Sequence, residues 1–390
     1  MPWDRVVERR LKLVLAAEAG DEPFATLCER EGISRKTGYK WRARYRVEGP
    51  AGLTDRSSAP KQHGRSTPEE LVEKIVLLRR ARPSWGARKI VAKLAAQHPE
   101  VAWPAASTAD QILRRAGLVS GRQRLRRAPP RLGDLTQPER PNHVWAADYK
   151  GWVRLGDGSR CEPLTITDGF CRYLLSLSCG SGTDEAQARP VFQAAFEEFG
   201  LPEVIRSDNG PPFASTGVTG LTGLSVWWIK LGIRPERIDP GRPQQNGRHE
   251  RFHLTLLEAL RPPQPDRTAQ AERFKAFRAD YNDERPHQAL EQRPPADFYE
   301  PSPRTLSDVV DEPDYPAEAA VRKVRSNGEI KWRGDLVHIS SALAGEPIAI
   351  EEDDAGDWRV RFHHHPLGVL DRKLNRLRRL SDAASKPAKL

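Results

Sequence analysis

The hydrophobic periodicity of the chain changes once, near Asn142. Before this point apolar residues such as Val7, Leu11 and Val14 recur at helical spacing in short segments. After it, short apolar runs are separated by glycine-containing turns, which is typical of β-strands. One core does not accommodate both patterns over 390 residues, so we expect a multidomain protein with α-helical domains first and an α/β domain after them.

Residues 1–48 predict a first helical domain. We expect a helix at the start, a second at Pro23–Glu31 ended by Gly32, and a third from a cap at Ser34 to about Val47. This order is the helix-turn-helix pattern, whose third helix enters the DNA major groove, although many three-helix bundles share it. The side chains predicted to contact DNA are Arg35, Lys36, Lys40, Arg42 and Arg44.

A second helix-turn-helix domain is predicted at residues 67–120, after a linker at 49–66. Two such units in tandem read a longer DNA site than one. The predicted elements are helices at Glu69–Arg82, at Gly86–Gln97 and from a cap at Ser107 or Thr108 to Gly117.

Positive charge is concentrated in the first third of the chain. Residues 1–140 carry 29 Lys and Arg against 16 Asp and Glu, whereas the rest carry 34 against 37. This asymmetry favours a polyanionic partner, since Lys and Arg that neutralise phosphates release counterions. A solubilising charge excess is the alternative.

Residues 121–140 predict a basic linker along DNA phosphates, or a solvated hinge. Its arginines include Arg122, Arg124, Arg126, Arg127 and Arg131.

Residues 141–293 predict one α/β domain. Three antiparallel strands followed by alternating helices and strands is the order of a ribonuclease-H-like domain. The expected strands are Val144–Val153, Cys161–Asp168, Cys171–Cys179, Val204–Ser207 and Ile233–Ile238, and the expected helices include Asp184–Phe199 and one from about Asn246.

The C-terminal part predicts a Pro-rich linker at 294–328, a small β-barrel at 329–371 and a basic tail at 372–390. Lys331-Trp332 and Trp358–Phe362 supply aromatic and β-branched residues to the barrel. The run His363–His365 is interpreted as a surface loop rather than a metal site.

Composition and cysteine placement exclude several classes. No segment approaches the roughly 18 apolar residues of a membrane span, and the N-terminus lacks a secretory core, so we expect no membrane partner and a cytoplasmic, nucleoid-associated protein.

Cys171 and Cys179, if on one strand, lie about 26 Å apart at roughly 3.3 Å per residue. We therefore expect free thiols at Cys28, Cys161, Cys171 and Cys179.

Three carboxylates stand out by position. Asp148 falls within the first strand, Asp208 at a strand end, and Glu250 near the start of a helix. Alone, Asp-Asn-Gly suits a turn and a Glu on a basic helix pairs with Arg. A carboxylate within an apolar strand is costlier, because its burial needs a partner. Three carboxylates that converge would suit Mg²⁺, which phosphodiester cleavage uses to stabilise the reacting oxygens.

Four segments together carry a family resemblance, and the similarity as a whole covers roughly residues 20–300. The chain resembles the retroviral-integrase superfamily and, more narrowly, bacterial insertion-sequence transposases with helix-turn-helix units before the integrase core. The segments are Trp145-x-x-Asp148, Ser207-Asp208-Asn209-Gly210, Gln244-Gln245-Asn246-Gly247-Arg248-His249-Glu250-Arg251-Phe252-His253 and Tyr281-Asn282-x-x-Arg285-Pro286-His287-x-x-Leu290.

The chain departs from the family pattern in two ways. Between Asp208 and Glu250 lie 41 residues, more than is usual, and we expect the surplus in a loop at Ser215–Leu224, before a helix containing Trp227 and Trp228. The zinc-binding His/Cys module of retroviral integrases is missing, so the helix-turn-helix units would supply the targeting.

The resemblance implies a DNA transposase that binds element ends. Cleavage would expose a 3′-hydroxyl, and that hydroxyl would then attack a target phosphodiester, with no protein nucleophile. Asp148, Asp208 and Glu250 would be the catalytic and metal-binding residues for two Mg²⁺ or Mn²⁺ ions, with Asp148 shared by both. A homo-oligomer on double-stranded DNA is implied. Further residues expected at DNA are Lys150, Asn246, Arg248 and His249.

Two other functions remain open from the sequence. A ribonuclease-H-like nuclease would share the three carboxylates but lack strand transfer. A non-catalytic DNA-binding regulator would use only the two helical units.

Overall fold

The computed structural model divides into two compact units, Met1–Pro68 and Glu69–Leu390. The basic-linker residues Arg122, Arg124, Arg126, Arg127 and Arg131, together with Asn246 and most of the basic tail, lie outside the described residues. The described residues are 5–56, 67–119, 135–239, 245, 247–307, 312–354, 356–371 and 376–379.

The first unit contains three helices around a small apolar core. Val7, Val14 and Leu53 are its buried centre. The helices are α1 (Arg5–Ala19), α2 (Phe24–Arg30) and α3 (Arg35–Glu48), and a short 3₁₀ helix (Gly49–Leu53) follows.

Two local features fix the turn between α2 and α3. The Ser34 hydroxyl accepts a hydrogen bond from the backbone N–H of Thr37 at 3.2 Å, so the predicted cap of α3 is confirmed. The helices cross closely at Gly38, where a Cβ atom would lie 2.6 Å from Cys28 Sγ and 2.9 Å from the Phe24 ring. Glycine at this position therefore permits the helix-turn-helix packing.

The second helical domain also contains three helices. Ile75, Trp85 and Ile90 are fully or almost fully buried between them. The prediction that Ser107 or Thr108 caps the third helix is wrong, because the extended N-cap residue is Ala105 and the helix begins before either side chain. The helices are α4 (Glu69–Ala81), α5 (Ala87–Gln97) and α6 (Ala106–Arg115).

A mixed six-stranded sheet forms the centre of the next domain. Its order is β2-β3-β1-β5-β6, and β4 pairs with β3. The pairs β1–β3 and β3–β4 are antiparallel, whereas β1–β5 and β5–β6 are parallel. The strands are β1 (Val144–Tyr149), β2 (Val153–Arg154), β3 (Arg160–Asp168), β4 (Leu174–Gly180), β5 (Val204–Ser207) and β6 (Arg234–Arg237).

Helices pack on both sides of this sheet. Leu164 and Ile166 of β3 lie in a cluster with Phe192 and Trp228. Thr165, between them on β3, contacts the opposite helical layer, as the alternation of a strand requires. The helices are α7 (Glu185–Phe199), α8 (Gly223–Lys230), α9 (Gly247–Leu260) and α10 (Arg267–Ala279). This α/β arrangement agrees with the ribonuclease-H-like expectation.

The loop expected to hold the surplus residues precedes α8, but it is shorter than predicted. Thr222 caps α8, so Gly223 and Leu224 already belong to that helix. The α8 helix has two buried faces: Trp228 lies in the core of the sheet domain, and Ile229 lies in the C-terminal core.

The expectation of four free thiols is wrong for one pair. Cys161 on β3 is joined to Cys179 on β4, and their Cα atoms are 5.3 Å apart. Antiparallel pairing of the two strands brings these residues together, whereas Cys171 lies in the turn before β4 begins at Leu174. Cys28 and Cys171 are buried free thiols.

The Tyr-Asn-x-x-Arg-Pro-His segment follows α10 and begins in a π-helical turn at Asp280–Glu284. The Asn282 amide accepts from the backbone N–H of Leu174 at 2.8 Å and donates to its carbonyl at 3.0 Å. Arg285 donates to both carboxylate oxygens of Glu258, each at 3.2 Å. The segment thus ties α9 and the start of β4 together.

The C-terminal residues form a five-stranded antiparallel sheet, ordered β13-β12-β11-β10-β7, and a β8–β9 hairpin. Among the described residues no ladder joins β7 to β13, so a closed barrel is not confirmed. His363 and His364 form the turn between β11 and β12, whereas His365, the last residue of the predicted loop, already begins β12 opposite Phe362. The strands are β7 (Ala320–Lys323), β8 (Glu329–Trp332), β9 (Asp335–His338), β10 (Pro347–Glu352), β11 (Trp358–Phe362), β12 (His365–Asp371) and β13 (Arg376–Arg378).

No helix within the described ranges is long and apolar enough to cross a membrane.

Candidate active site

Asp148 and Asp208 follow the same register of two parallel strands. Ala146 of β1 is paired with Arg206 of β5, and each aspartate comes two residues later in its chain. The carboxyl ends of neighbouring parallel strands meet at one edge of a sheet, so the two aspartates lie side by side.

Glu250 lies in the first turn of α9 and is exposed. The same helix contacts β3 through His249, whose Nε2 is 2.6 Å from the Thr165 hydroxyl. Thr165 is the antiparallel partner of Asp148. The packing of α9 on β3 therefore brings Glu250 towards the carboxylate on β1.

The pKa of Asp148 responds to the two other acidic groups. Burial, and then the charges of Asp208 and Glu250, raise the pKa of Asp148 to about 7, while Lys150 opposes the shift. Burial is the main physical cause, and repulsion from the two other carboxylates adds to it. Asp148 therefore interacts electrostatically with the two other carboxylates named by sequence.

A hydrogen-bond network lies behind Asp148. The Thr165 hydroxyl donates to the Asp148 carbonyl at 2.9 Å, which uses its only proton. It must then accept from Nε2 of His249 at 2.6 Å and from Nε2 of His253 at 3.2 Å. The Thr167 hydroxyl lies 3.1 Å from Nδ1 of His249. These contacts orient both imidazoles, and burial lowers the pKa of each.

His253 also faces Asp148, with Nδ1 3.8 Å from Oδ2. Burial and the nearby Lys150 lower the pKa of His253 to about 4, so the contact is not an ion pair at neutral pH. Ligand atoms of Asp148, His249 and His253 lie within 4.8 Å of one another. Both nitrogens of His249 face hydroxyls, so this ring supports the site rather than offering a free ligand atom.

Sequence reasoning missed part of this network and misplaced His249. That residue was expected at DNA, but it is 2% exposed and packs against the sheet. The available signal was the alternation of Thr165 and Thr167 within an apolar strand, opposite two histidines spaced four apart on a helix.

Glu258, the other carboxylate on α9, has a different environment from Glu250. It lies two turns after Glu250 on α9, and its two oxygens are held by Arg285. Asp208 forms the turn that its Asp-Asn-Gly sequence suggests, since one of its carboxylate oxygens accepts from the Gly210 N–H at 3.1 Å. Its charge also acts on Asp148 of β1.

The residues predicted to contact DNA differ in exposure. Arg35, Lys36 and Lys40 on α3 are exposed, and Arg44 is half-buried. Arg42 instead donates to Glu18 at 2.8 Å, so its charge is already paired.

Two cations near the active site also differ in their surroundings. Arg248 on α9 donates to the Gly169 carbonyl at 2.6 Å. Burial and the charges of Arg172 and Arg206 lower its pKa. Lys150 is half-buried and interacts electrostatically with Asp148 and His253.

Comparison with known families matches most parts of this architecture. The integrase core domain matches residues 138–243, and a second integrase core description matches 231–295. A helix-turn-helix domain matches 9–61 and a homeodomain-like domain matches 37–113. The C-terminal domain of IS481 family transposases matches 319–377.

Relatives include proteins of insertion elements. The "Insertion element IS407 uncharacterized 31.7 kDa protein" of Burkholderia multivorans is 30% identical over 48% of this chain and 66% of its own length. The "Insertion element IS476 uncharacterized 39.2 kDa protein" of Xanthomonas euvesicatoria is 30% identical over 46% of this chain and 51% of its own. This chain therefore spans between half and two thirds of these relatives.

More distant similarity extends to viral proteins. The Gag-Pol polyprotein of baboon endogenous virus is 31% identical over 33% of this chain and 7% of that protein. The HTLV-2 integrase catalytic core domain in complex with magnesium aligns with a TM-score of 0.31 and 16% identity, over 41% of this chain and 98% of that one. A superposition this loose does not identify equivalent side chains.

Proposed function

The chain belongs to the insertion-sequence transposases that combine helix-turn-helix domains with an integrase core, and we propose that it cuts and joins DNA at the site formed by Asp148, Asp208 and Glu250. The observation that carries this proposal is the shared register of β1 and β5, in which Asp148 and Asp208 each follow the paired residues Ala146 and Arg206 by two positions. Three carboxylates that repel one another are suited to bind divalent cations, and phosphodiester cleavage uses such cations.

The donor set fits divalent metal ions. Mg²⁺ and Mn²⁺ prefer carboxylate oxygens, and a bound cation would favour the ionised form of Asp148, which burial and the neighbouring carboxylates disfavour. Asp148 interacts electrostatically with both other acidic groups and is the candidate ligand for both ions of a pair. Bound ions would stabilise negative charge on the attacking and leaving oxygens of a phosphodiester.

The protein's own contribution is positioning. Register between β1 and β5 fixes Asp148 beside Asp208, and the Thr165 contacts hold α9, and so Glu250, against β3. Lys150 is proposed as a phosphate contact near the carboxylates, because its charge acts on Asp148. None of these side chains needs to form a covalent intermediate, because water and a DNA 3′-hydroxyl serve as the two nucleophiles.

DNA would be held first by the helical domains. The exposed Arg35, Lys36 and Lys40 of α3 are the proposed contacts of the first domain. Arg44, Arg248 and the arginines of the basic linker are proposed as further phosphate contacts. Joining two element ends requires two active sites in one assembly, so we infer a homo-oligomer on DNA.

The test is an incubation of the full chain with labelled terminal DNA of its element, in Mg²⁺ or Mn²⁺. We expect joined products, and a chelator should remove them. Nicked products without joining would support a nuclease instead, and DNA binding without any product would support a regulator. Light scattering of the active complex should give more than one chain; a single chain would contradict the oligomer.

A further inference from the structure

His253 is a buried ring beside the carboxylate site. It is 7% exposed, and its Nδ1 lies 3.8 Å from Oδ2 of Asp148. It lies on α9, three residues after Glu250, so the two side chains are neighbours on the surface of the helix. Helices that hold a pair of metal ions in carboxylate-rich bundles present a glutamate and a histidine at this same spacing. The position of His253 therefore suits a metal ligand.

Three of the four ring nitrogens of His249 and His253 are occupied by threonine hydroxyls. The Thr165 hydroxyl contacts Nε2 of both rings. The Thr167 hydroxyl contacts Nδ1 of His249. The fourth nitrogen, Nδ1 of His253, forms no hydrogen bond to any described residue and faces Asp148. One imidazole nitrogen at the edge of the carboxylate site is thus available to a ligand.

The hydrogen bonds of Thr165 decide which nitrogen of His253 is unprotonated. The Thr165 hydroxyl donates its one proton to the Asp148 carbonyl at 2.9 Å, so it accepts from Nε2 of His253 at 3.2 Å. A neutral ring with its proton on Nε2 has a lone pair at Nδ1. This lone pair faces the Asp148 carboxylate, so two groups that offer electron pairs stand opposite each other.

The separation of these two groups fits a cation better than a shared proton. At 3.8 Å, Nδ1 of His253 and Oδ2 of Asp148 are farther apart than the nitrogen and oxygen of a hydrogen bond, which lie within about 3.2 Å. Two ligand atoms that each lie about 2.1 Å from one ion can be up to about 4.2 Å apart. One ion can therefore bind both atoms at their present separation.

We propose that His253 binds, through Nδ1, the divalent cation held at Asp148, and that this nitrogen makes the site prefer Mn²⁺ to Mg²⁺. Imidazole nitrogen is a ligand of first-row transition ions, whereas Mg²⁺ favours carboxylate oxygens and water. Asp148 and His253 thus form a mixed oxygen and nitrogen site for one of the two ions. The assignment rests on the proposed function for the cation at Asp148, and it adds a ligand to the three carboxylates.

Electron spin echo spectroscopy of bound Mn²⁺ tests this ligand directly. The full chain, without DNA, is loaded with substoichiometric Mn²⁺, and an imidazole bound to the ion modulates the echo through its nitrogen. We expect this nitrogen modulation in the wild type, and Asp148→Asn should lose it together with tight Mn²⁺ binding. A wild-type spectrum without directly bound nitrogen overturns the proposal, whatever the fold of any variant.

His253→Gln is the matched variant, because its amide nitrogen can take the place of Nε2 and donate to Thr165. The nitrogen modulation should disappear, and the ratio of the Mg²⁺ to the Mn²⁺ dissociation constant, measured by competition, should fall roughly 10-fold. His338→Gln, which removes an exposed imidazole on β9, should keep both. Near-UV circular dichroism checks that both variants are folded. Modulation that persists in folded His253→Gln, or an unchanged ratio, contradicts the assignment.

Failure of the two proposals is distinguishable. A chain whose Mn²⁺ shows the nitrogen modulation but that makes no joined product contradicts the proposed function and leaves His253 as a metal ligand. Joined products from a chain whose Mn²⁺ shows no bound nitrogen do the reverse.

Discussion

The hydroxyl oxygen of Thr165 lies 2.6 Å from Nε2 of His249, between the central sheet and α9. The same oxygen donates to the carbonyl of Asp148 at 2.9 Å. One buried side chain therefore links the strand that carries Asp148 to the helix that carries Glu250. Thr167, two residues along β3, contacts only His249 in this network and offers a matched comparison.

Thr165→Val should lower the DNA cleavage rate more than Thr167→Val does. Thr167→Val leaves one buried imidazole nitrogen without its hydroxyl partner and should cost about 1–3 kcal/mol of unfolding free energy, and Thr165→Val leaves two and should cost more. Only Thr165→Val also frees α9 from the Asp148 strand, so we expect a further loss of roughly 10-fold in cleavage. Denaturant unfolding and single-turnover cleavage of both variants measure this; equal cleavage losses would assign Thr165 a stability role alone.

Asp148→Asn should stabilise the protein in the absence of divalent cations. The folded pKa of Asp148 is about 7 and its unfolded value is near 4, so the ionised carboxylate opposes folding above pH 7. Protonation removes this penalty as pH falls towards about 4. The gain in unfolding free energy should be on the order of 2–4 kcal/mol above pH 7 and shrink at lower pH. Thermal melts across this range test it; a gain independent of pH would point to another cause.

Glu250→Gln should abolish cleavage and joining, with DNA binding retained. Loss of one carboxylate removes several kcal/mol of charge stabilisation, which corresponds to roughly 100-fold or more in rate. Exposed Glu272 on α10 supplies the control variant, Glu272→Gln, which should remain active. Glu258→Gln breaks the Arg285 contact and should lower stability more than activity. Inactive Glu258→Gln beside active Glu250→Gln would transfer the catalytic assignment to Glu258.

Lys36→Gln/Lys40→Gln should weaken duplex binding and lower the salt slope by up to about 2. Both side chains are exposed on α3, whereas Arg42 is already bound to Glu18. Arg42→Gln should therefore change the slope by less than half as much as the double lysine variant does. Fluorescence anisotropy of the full chain at several salt concentrations measures wild type and both variants, and a slope change of about 1 for Arg42→Gln would show that Glu18 releases it on DNA.

Sequence periodicity predicted the elements whose signals are local. The strand Val204–Ser207 was found with its observed ends, and Ser34 caps α3 through a bond to a residue three positions away. The order of strands and helices in the catalytic domain was also predictable, since apolar runs and glycine turns mark each element.

The remaining features depend on which strands and helices become neighbours. Cys161 meets Cys179 only because β3 and β4 pair in one register. His249 has the same local pattern whether its face of α9 meets solvent or sheet, so its burial was not predictable. The Thr165 network requires both the register of β3 and the orientation of α9.

The two buried faces of α8 have a consequence for how the molecule can be divided. Leu221, Val226 and Ile229 share a core with C-terminal residues, and Lys230 pairs with Glu346 at 2.8 Å. An integrase core expressed without the C-terminal strands would present these apolar side chains to water and become prone to self-association. The C-terminal sheet thus shares a hydrophobic core with the integrase-core domain and is not a separable domain.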